Sequence, residues 1–187
     1  MTLKNIKFVF VMMMLITITV WFSLSYHSND NSNLVINELP DAYMEEVNAV
    51  VMNKQGKVNM KIATPFMVHY KTEDRSQLTL PRLTIYRKSP LPWYVTAKYA
   101  KTRQGTQIVE FWDNVVIHHP ADEETPATVI KTSTLTVHPD DQTADTNDPI
   151  TLIQPNTTIN ATGMHANMNT GDIKLLSQAR GIYVPSS

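Results

Sequence analysis

Residues 107–118 read QIVEFWDNVVIH. Phe111, Val115 and Ile117 share one parity, while Glu110 and Trp112 take the other. Successive side chains of a strand point to opposite faces, so a β-branched and aromatic run with period two predicts a half-buried strand. Asp113-Asn114 breaks the run at its middle, where this pair suits a turn or bulge. Unless that bulge changes the register, Trp112 faces away from the interior.

Similar runs lie on both sides of this one. They cover residues 58–62 (VNMKI), 78–86 (LTLPRLTIY), 93–97 (WYVTA), 128–137 (TVIKTSTLTV), 150–153 (ITLI) and 172–176 (DIKLL). Hairpin-type turns carry Gly56, Gly105 and Gly171, and most prolines fall between runs. Pro81 interrupts its run and predicts an edge, bulge or bend there. After residue 40 no stretch sustains helical spacing of apolar residues; 97–103 comes nearest and is too short. Short strands at roughly ten-residue spacing predict an all-β sandwich, barrel or jelly roll.

The chain has 187 residues, net charge −1, 42% hydrophobic and 18% charged residues, and no cysteine. That length suits one domain plus a short extra segment. The balanced charge offers no strongly basic surface for nucleic acid. Without cysteine, disulfides, thiol nucleophiles and Cys-ligated metals are excluded. The first stretch differs from the rest: Lys4 and Lys7 precede FVFVMMMLITITVWFSL at residues 8–24, and Asp30 is the first acid. An uncharged run of this length approaches the ~20 residues that span a bilayer, and the preceding lysines orient its start to the cytoplasm. A cleaved signal peptide competes with this reading, but no small-x-small site follows the run. The expected organisation is a cytoplasmic start and transmembrane anchor over 1–27, a polar tether over 28–41, and a β domain over 42–187.

Two stretches carry a family resemblance. QIVEFWDNVVIHH, residues 107–119, resembles the repeating strand unit of OstA-like β-jelly rolls, with Asp113 where glycine is common. NATGMHANMNTGDIKLLSQARGIY, residues 160–183, resembles the C-terminal signature of the LptC family. The resemblance implies a twisted two-sheet jelly roll preceded by a single transmembrane helix. It implies an inner-membrane protein of the lipopolysaccharide export machine, with its C-terminal domain in the periplasm. Such a protein receives lipopolysaccharide from an ABC transporter of LptB, LptF and LptG and hands it to LptA. No cofactor and no catalysis are implied. An apolar trough would shield the acyl chains, because each exposed CH₂ costs ~0.8 kcal/mol in water.

Alternation selects the inward-facing, candidate lipid-binding positions. They are Met60, Ile62, Leu78, Leu80, Ile85, Val95, Phe111, Val115, Ile117, Leu135, Val137, Leu152, Ile173 and Leu175. Each suits plain sandwich core better than a specific lipid contact, because core and trough share one apolar face. Open sheet edges can pair with a further strand. The candidate LptA-facing edge is Gly163 with Ile173, Lys174, Leu175 and Leu176; the candidate transporter-facing edge is Tyr43, Val47, Val50 and Met52.

Other chemistry finds little footing. His118 and His119 are adjacent in a strand, cannot share an ion, and are expected to be exposed strand-end histidines. Asp140, Asp141, Asp145 and Asp148 lack EF-hand spacing and are expected in a solvated loop. Glu110 is expected to face outward. No GxSxG, HExxH or SxxK occurs. The alternative function is a membrane-tethered β protein that only binds other proteins.

Overall fold

The computed structural model describes residues 39–53, 55–86, 91–123 and 125–185. The anchor reading, and the tether reading up to residue 38, lie outside the described residues. Among those described, no helix is long and apolar enough to cross a membrane.

Eleven strands follow in order: β1 (Ala42–Met52), β2 (Val58–Tyr70), β3 (Arg75–Thr79), β4 (Arg82–Ile85), β5 (Trp93–Thr96), β6 (Tyr99–Arg103), β7 (Ile108–His119), β8 (Thr128–His138), β9 (Thr143–Gln154), β10 (Thr157–Asn167) and β11 (Ile173–Tyr183). A short 3-10 turn, Thr72–Asp74, links β2 to β3. All described pairings are antiparallel and form one sheet. The long strands β1, β2 and β7 to β11 run through both halves of it. Between β2 and β7, one half is bridged by β4 and β5 and the other by β3 and β6.

The two halves fold onto each other along a crease that crosses every long strand. Positive φ angles mark it at Glu46, Asp113, Asn114, Gly163 and Gln178. Register shifts mark it in β7–β8 between Trp112 and Val115, and in β8–β9 between Thr132 and Thr136. These bulges have a packing consequence. In β8 the buried positions change from Thr128 and Ile130 to Leu135 and Val137, and in β10 from Ala161 to Met164 and Ala166. Strict period two would push one half's apolar residues outside; an extra residue restores them to the interior.

The crease is stapled by polar groups. The Asp148 carboxylate accepts from Ser133 Oγ at 2.7 Å and Thr134 Oγ1 at 2.6 Å. Those hydrogen bonds, Thr134's the larger, hold its carboxyl below the usual range. Thr64 Oγ1 donates to Thr79 O at 2.6 Å, and Lys98 Nζ lies 3.2 Å from Asp113 Oδ2. The expected jelly roll is therefore a single sheet folded over, its two layers being two ends of the same strands.

Two sequence readings are corrected here. Leu80 is not inward-facing: it is 56% exposed, with φ +49, in the bend between β3 and β4. Pro81 takes the buried position next to it, and the phase slips so that Leu83 and Ile85 face inward. Asp145 and Asp148 do not lie in a loop; both belong to β9, where Asp145 pairs with His165.

Candidate functional site

Rows of paired residues run across the strands, and in each layer one inner row is apolar. In the layer holding β4 and β5, the inner row is Ala49, Ile62, Leu83, Val95, Ile117, Ile130, Leu152, Ile159 and Gly181. It contains no polar side chain from β1 to β11. In the opposite layer, one row passes through Met44, Met67, Leu78, Ala100, Phe111 and Leu135. Met164 and Leu175, paired with each other, carry the apolar face to the β11 edge. The two faces enclose a transverse apolar corridor, perpendicular to the strands and ending at two sheet edges.

The corridor is closed at its centre. A slot between Val95, Ile117 and Ile130 on one layer and Leu135, Ala144 and Met164 on the other has ≈ 10 Å³ of free volume. That is room for about one water, so an acyl chain needs the layers to part. Next to it opens a cleft of ≈ 430 Å³ between Trp93, His119, Thr128 and Gln154 on one layer and the β10–β11 turn on the other. Trp93, Met168, Gly171 and Ile173 line both spaces, so the cleft is the mouth of the slot.

His119 at this mouth corrects a further expectation. It is buried, its ring 4.7 Å from that of Trp93, with Nε2 4.0 Å from Asp122 Oδ2. His118 faces the other way and stacks on Tyr94, so the two histidines diverge as alternation requires. Glu110 faces outward, bridged by Lys101 at 2.6 Å and Arg103 at 3.0 Å. Among the described residues no trio of His, Asp or Glu is grouped to hold a metal.

The remaining candidate residues sort clearly by position. Met60, Ile62, Leu78, Ile85, Val95, Phe111, Val115, Ile117, Leu135, Val137 and Leu152 are buried in the shared core. Ile173 and Leu175 are partly buried against that core, on the edge strand. Leu83, Trp93, Val109, Ile130, Ile150 and Met164 are equally buried but were not selected by alternation. Trp93 has the parity of Val95 and was within reach of the pattern; Ile130 lies across the crease from Leu135, where the phase changes.

The candidate edge residues fall on the two terminal strands, except Gly163, which lies on β10. Among the described strands β1 pairs only with β2, and β11 only with β10. Tyr43, Val50 and Met52 are exposed on β1, whereas Val47 is half-buried. On β11, Lys174 and Leu176 are exposed, and everything from Leu176 to Tyr183 is exposed on both faces. Gly163 sits opposite, with φ +76; a Cβ there would lie 2.9 Å from Leu176 Cδ1. Only glycine allows both that backbone angle and that approach.

Comparison with solved structures finds the same fold in the crystal structure of LptH, the LptA-homologous periplasmic component of the lipopolysaccharide transport device of Pseudomonas aeruginosa. The TM-score is 0.54 at 8% identity, covering 67% of this chain and 95% of that one. Comparison with curated proteins gives no match. The family model described as "Lipopolysaccharide-assembly, LptC-related" matches residues 9–184. A match over nearly the whole length, joined to a jelly-roll sheet of this kind, decides the family: the chain belongs to the LptC-related lipopolysaccharide-assembly proteins.

Proposed function

We propose that this protein is a relay in lipopolysaccharide transport. It takes the lipid from an ABC transporter of LptB, LptF and LptG at its β1 edge, and passes it to LptA at its β11 edge. The family and the fold support a role in lipopolysaccharide transport at the coarser level. The observation that carries the finer reading is the transverse row of apolar inner residues, uninterrupted from Ala49 on one edge strand to Gly181 on the other. Edge strands with bare backbone groups can extend into a neighbouring sheet, which continues the corridor. In this reading residues 8–26 anchor the chain in the inner membrane, and the β domain stands in the periplasm. Tyr43, Val47, Val50 and Met52 meet the transporter, and Gly163 with Ile173, Lys174, Leu175 and Leu176 meets LptA. No step calls for catalysis by this chain.

The closed slot favours a second reading, in which the domain only binds proteins. One experiment separates the two. A photoreactive residue at Ala49, Ile159 or Leu175 should crosslink to lipopolysaccharide in an ATP-dependent manner, and one at the outward-facing Gln77 should not. Equal labelling at all four positions would remove the corridor from the reading. Absence of labelling, with LptA still bound, would leave the scaffold.

A further inference from the structure

The outer face of the layer bridged by β4 and β5 differs in charge from the outer face of the opposite layer. One outer row is Asn48, Ala63, Arg82, Thr96, Val116, Lys131, Thr151, Asn160 and Arg180. The row beside it is Val50, Lys61, Thr84, Tyr94, His118, Val129, Ile153, Thr158 and Ile182. Together they hold four cations and no carboxylate. All four, Lys61, Arg82, Lys131 and Arg180, are exposed. The opposite layer's outer face is mixed: Lys101 and Arg103 are tied to Glu110, and His165 to Asp145. The acids beside the cationic face lie along the crease: Glu46 shares a groove with Arg82, Asp113 pairs with Lys98, and Asp148 is held by Ser133 and Thr134.

Spacing and relief narrow the partner. Arg82 and Lys131 lie three strand spacings apart, and Lys131 and Arg180 three more, about 14 Å each at ~4.8 Å per spacing. Exposed Val50, Tyr94 and Ile182 stand in the adjoining row. Between Lys61 and Arg82 the small residues Ala63, Thr84 and Thr96 floor a groove of ≈ 400 Å³. A folded acidic protein would have to match this wide spacing with carboxylates across eight strands. A leaflet of phosphate headgroups matches any spacing, and it also accepts the apolar side chains between the cations.

We propose that this acid-free outer face docks on the surface of an anionic phospholipid bilayer. Docking would use outward side chains and leave the corridor and the backbone edges of β1 and β11 free, with Val50 the one residue shared with the transporter-facing set. It does not rest on the relay reading. The absence of cysteine makes the test direct. Single cysteines at Thr96 and Thr151, and at Gln77 and Thr136 on the opposite layer, would carry an environment-sensitive fluorophore. The full chain would be reconstituted in phosphatidylcholine vesicles with or without phosphatidylglycerol, free of lipopolysaccharide, with brominated lipid as quencher. Quenching should appear at residues 96 and 151, only with phosphatidylglycerol present, and fade in about 1 M salt, where the Debye length is ~3 Å. Each cation removed should lower the docked-to-undocked ratio about fivefold, the factor for ~1 kcal/mol per charge near an anionic surface. Lys131→Gln and Arg180→Gln therefore read the effect on exposed positions, with unchanged circular dichroism as the control for folding. Quenching that is equal on both layers, that persists in neutral vesicles, or that is absent at residues 96 and 151 would overturn the proposal. The last outcome would point to an acidic protein instead.

Discussion

The two edges of the sheet are bare in different ways. On β1 the outward residues Tyr43, Val50 and Met52 are exposed, but Ala49 and Val51 pack against the core. Its backbone edge is open while its inner face is finished. On β11 the strand packs inward only through Ile173 and Leu175. From Leu176 onward both faces and the edge are open, and Ile182 is 67% exposed. β1 therefore lacks only a neighbouring strand, whereas the second half of β11 also lacks an opposing layer. A segment with few buried contacts opens at low free energy, so β11 is where the layers should part first.

The largest perturbation asks whether the two edges belong to one cooperative unit. Phe111 is 2% exposed, at the centre of the inner face. Phe111→Ala should cost about 3–5 kcal/mol. Chemical denaturation should show one transition shifted to lower denaturant, and hydrogen exchange should quicken in β1 and β11 alike. Faster exchange in β11 alone would mean that the two edges are separately stabilised.

Gly163→Ala should sharpen the contrast. The added Cβ meets Leu176 at 2.9 Å, and the positive φ disfavours any side chain. The expected loss is about 1–3 kcal/mol, the range for a residue held in a sparsely populated backbone region. It should fall on β11 and leave exchange in β1 unchanged. Loss of LptA binding with retention of transporter association would place the handover at this edge; loss of both would report misfolding.

Much of this architecture was legible in the sequence, and the gaps have physical causes. The run at residues 107–118 announced β7 because large apolar residues alternate with polar ones on both sides of the bulge. β6 and β10 did not announce themselves. Their buried positions are Ala100 and Thr102, and Ala161, Gly163, Met164 and Ala166, mostly too small or too polar to mark a face. The start of β9 was hidden in the acidic stretch DDQTADTNDP, where only Ala144 and Thr146 turn inward. Leu80 misled because alternation was carried from Leu78 up to Pro81, whereas the chain already takes a positive φ at Leu80 and changes phase there. The corridor was foreseen as an apolar face, but its closure depends on how two layers meet. Spacing along one strand carries no record of that.

Asp148 tests the crease that both edges share. Asp148→Ala removes the acceptor for Ser133 and Thr134, at a cost of about 1 kcal/mol because the group is partly solvated. Its folded-state carboxyl is held below the usual range, so its contribution is present above the unfolded value near 3.8 and is lost as pH falls through the folded one. Thermal melts of the wild type and variant should therefore converge on acidification.

The smallest effect should be confined to β1. His69 Nδ1 lies 2.6 Å from Asp41 Oδ1, just before the strand, and Nε2 lies 3.0 Å from Asp74 Oδ1 in the β2–β3 turn. Both ring nitrogens face carboxylate acceptors, so both carry protons only in the imidazolium form. Accordingly, the hydrogen bond to Asp74, then that to Asp41, raises the His69 pKa above 6.5. A raised folded-state pKa gives stability that is complete below the unfolded value and is lost as pH rises through the folded one. The clasp should thus hold the start of β1 in mildly acidic solution and release it on alkalinisation. Because the ring is partly exposed, solvent screens the pair and the global stability should change little. Hydrogen exchange at Ala42–Met44 should accelerate relative to β11 once the intrinsic pH dependence is removed, and His69→Gln should abolish that difference. Were β1 and β11 to loosen in parallel across this range, the clasp would have no separate hold on its edge.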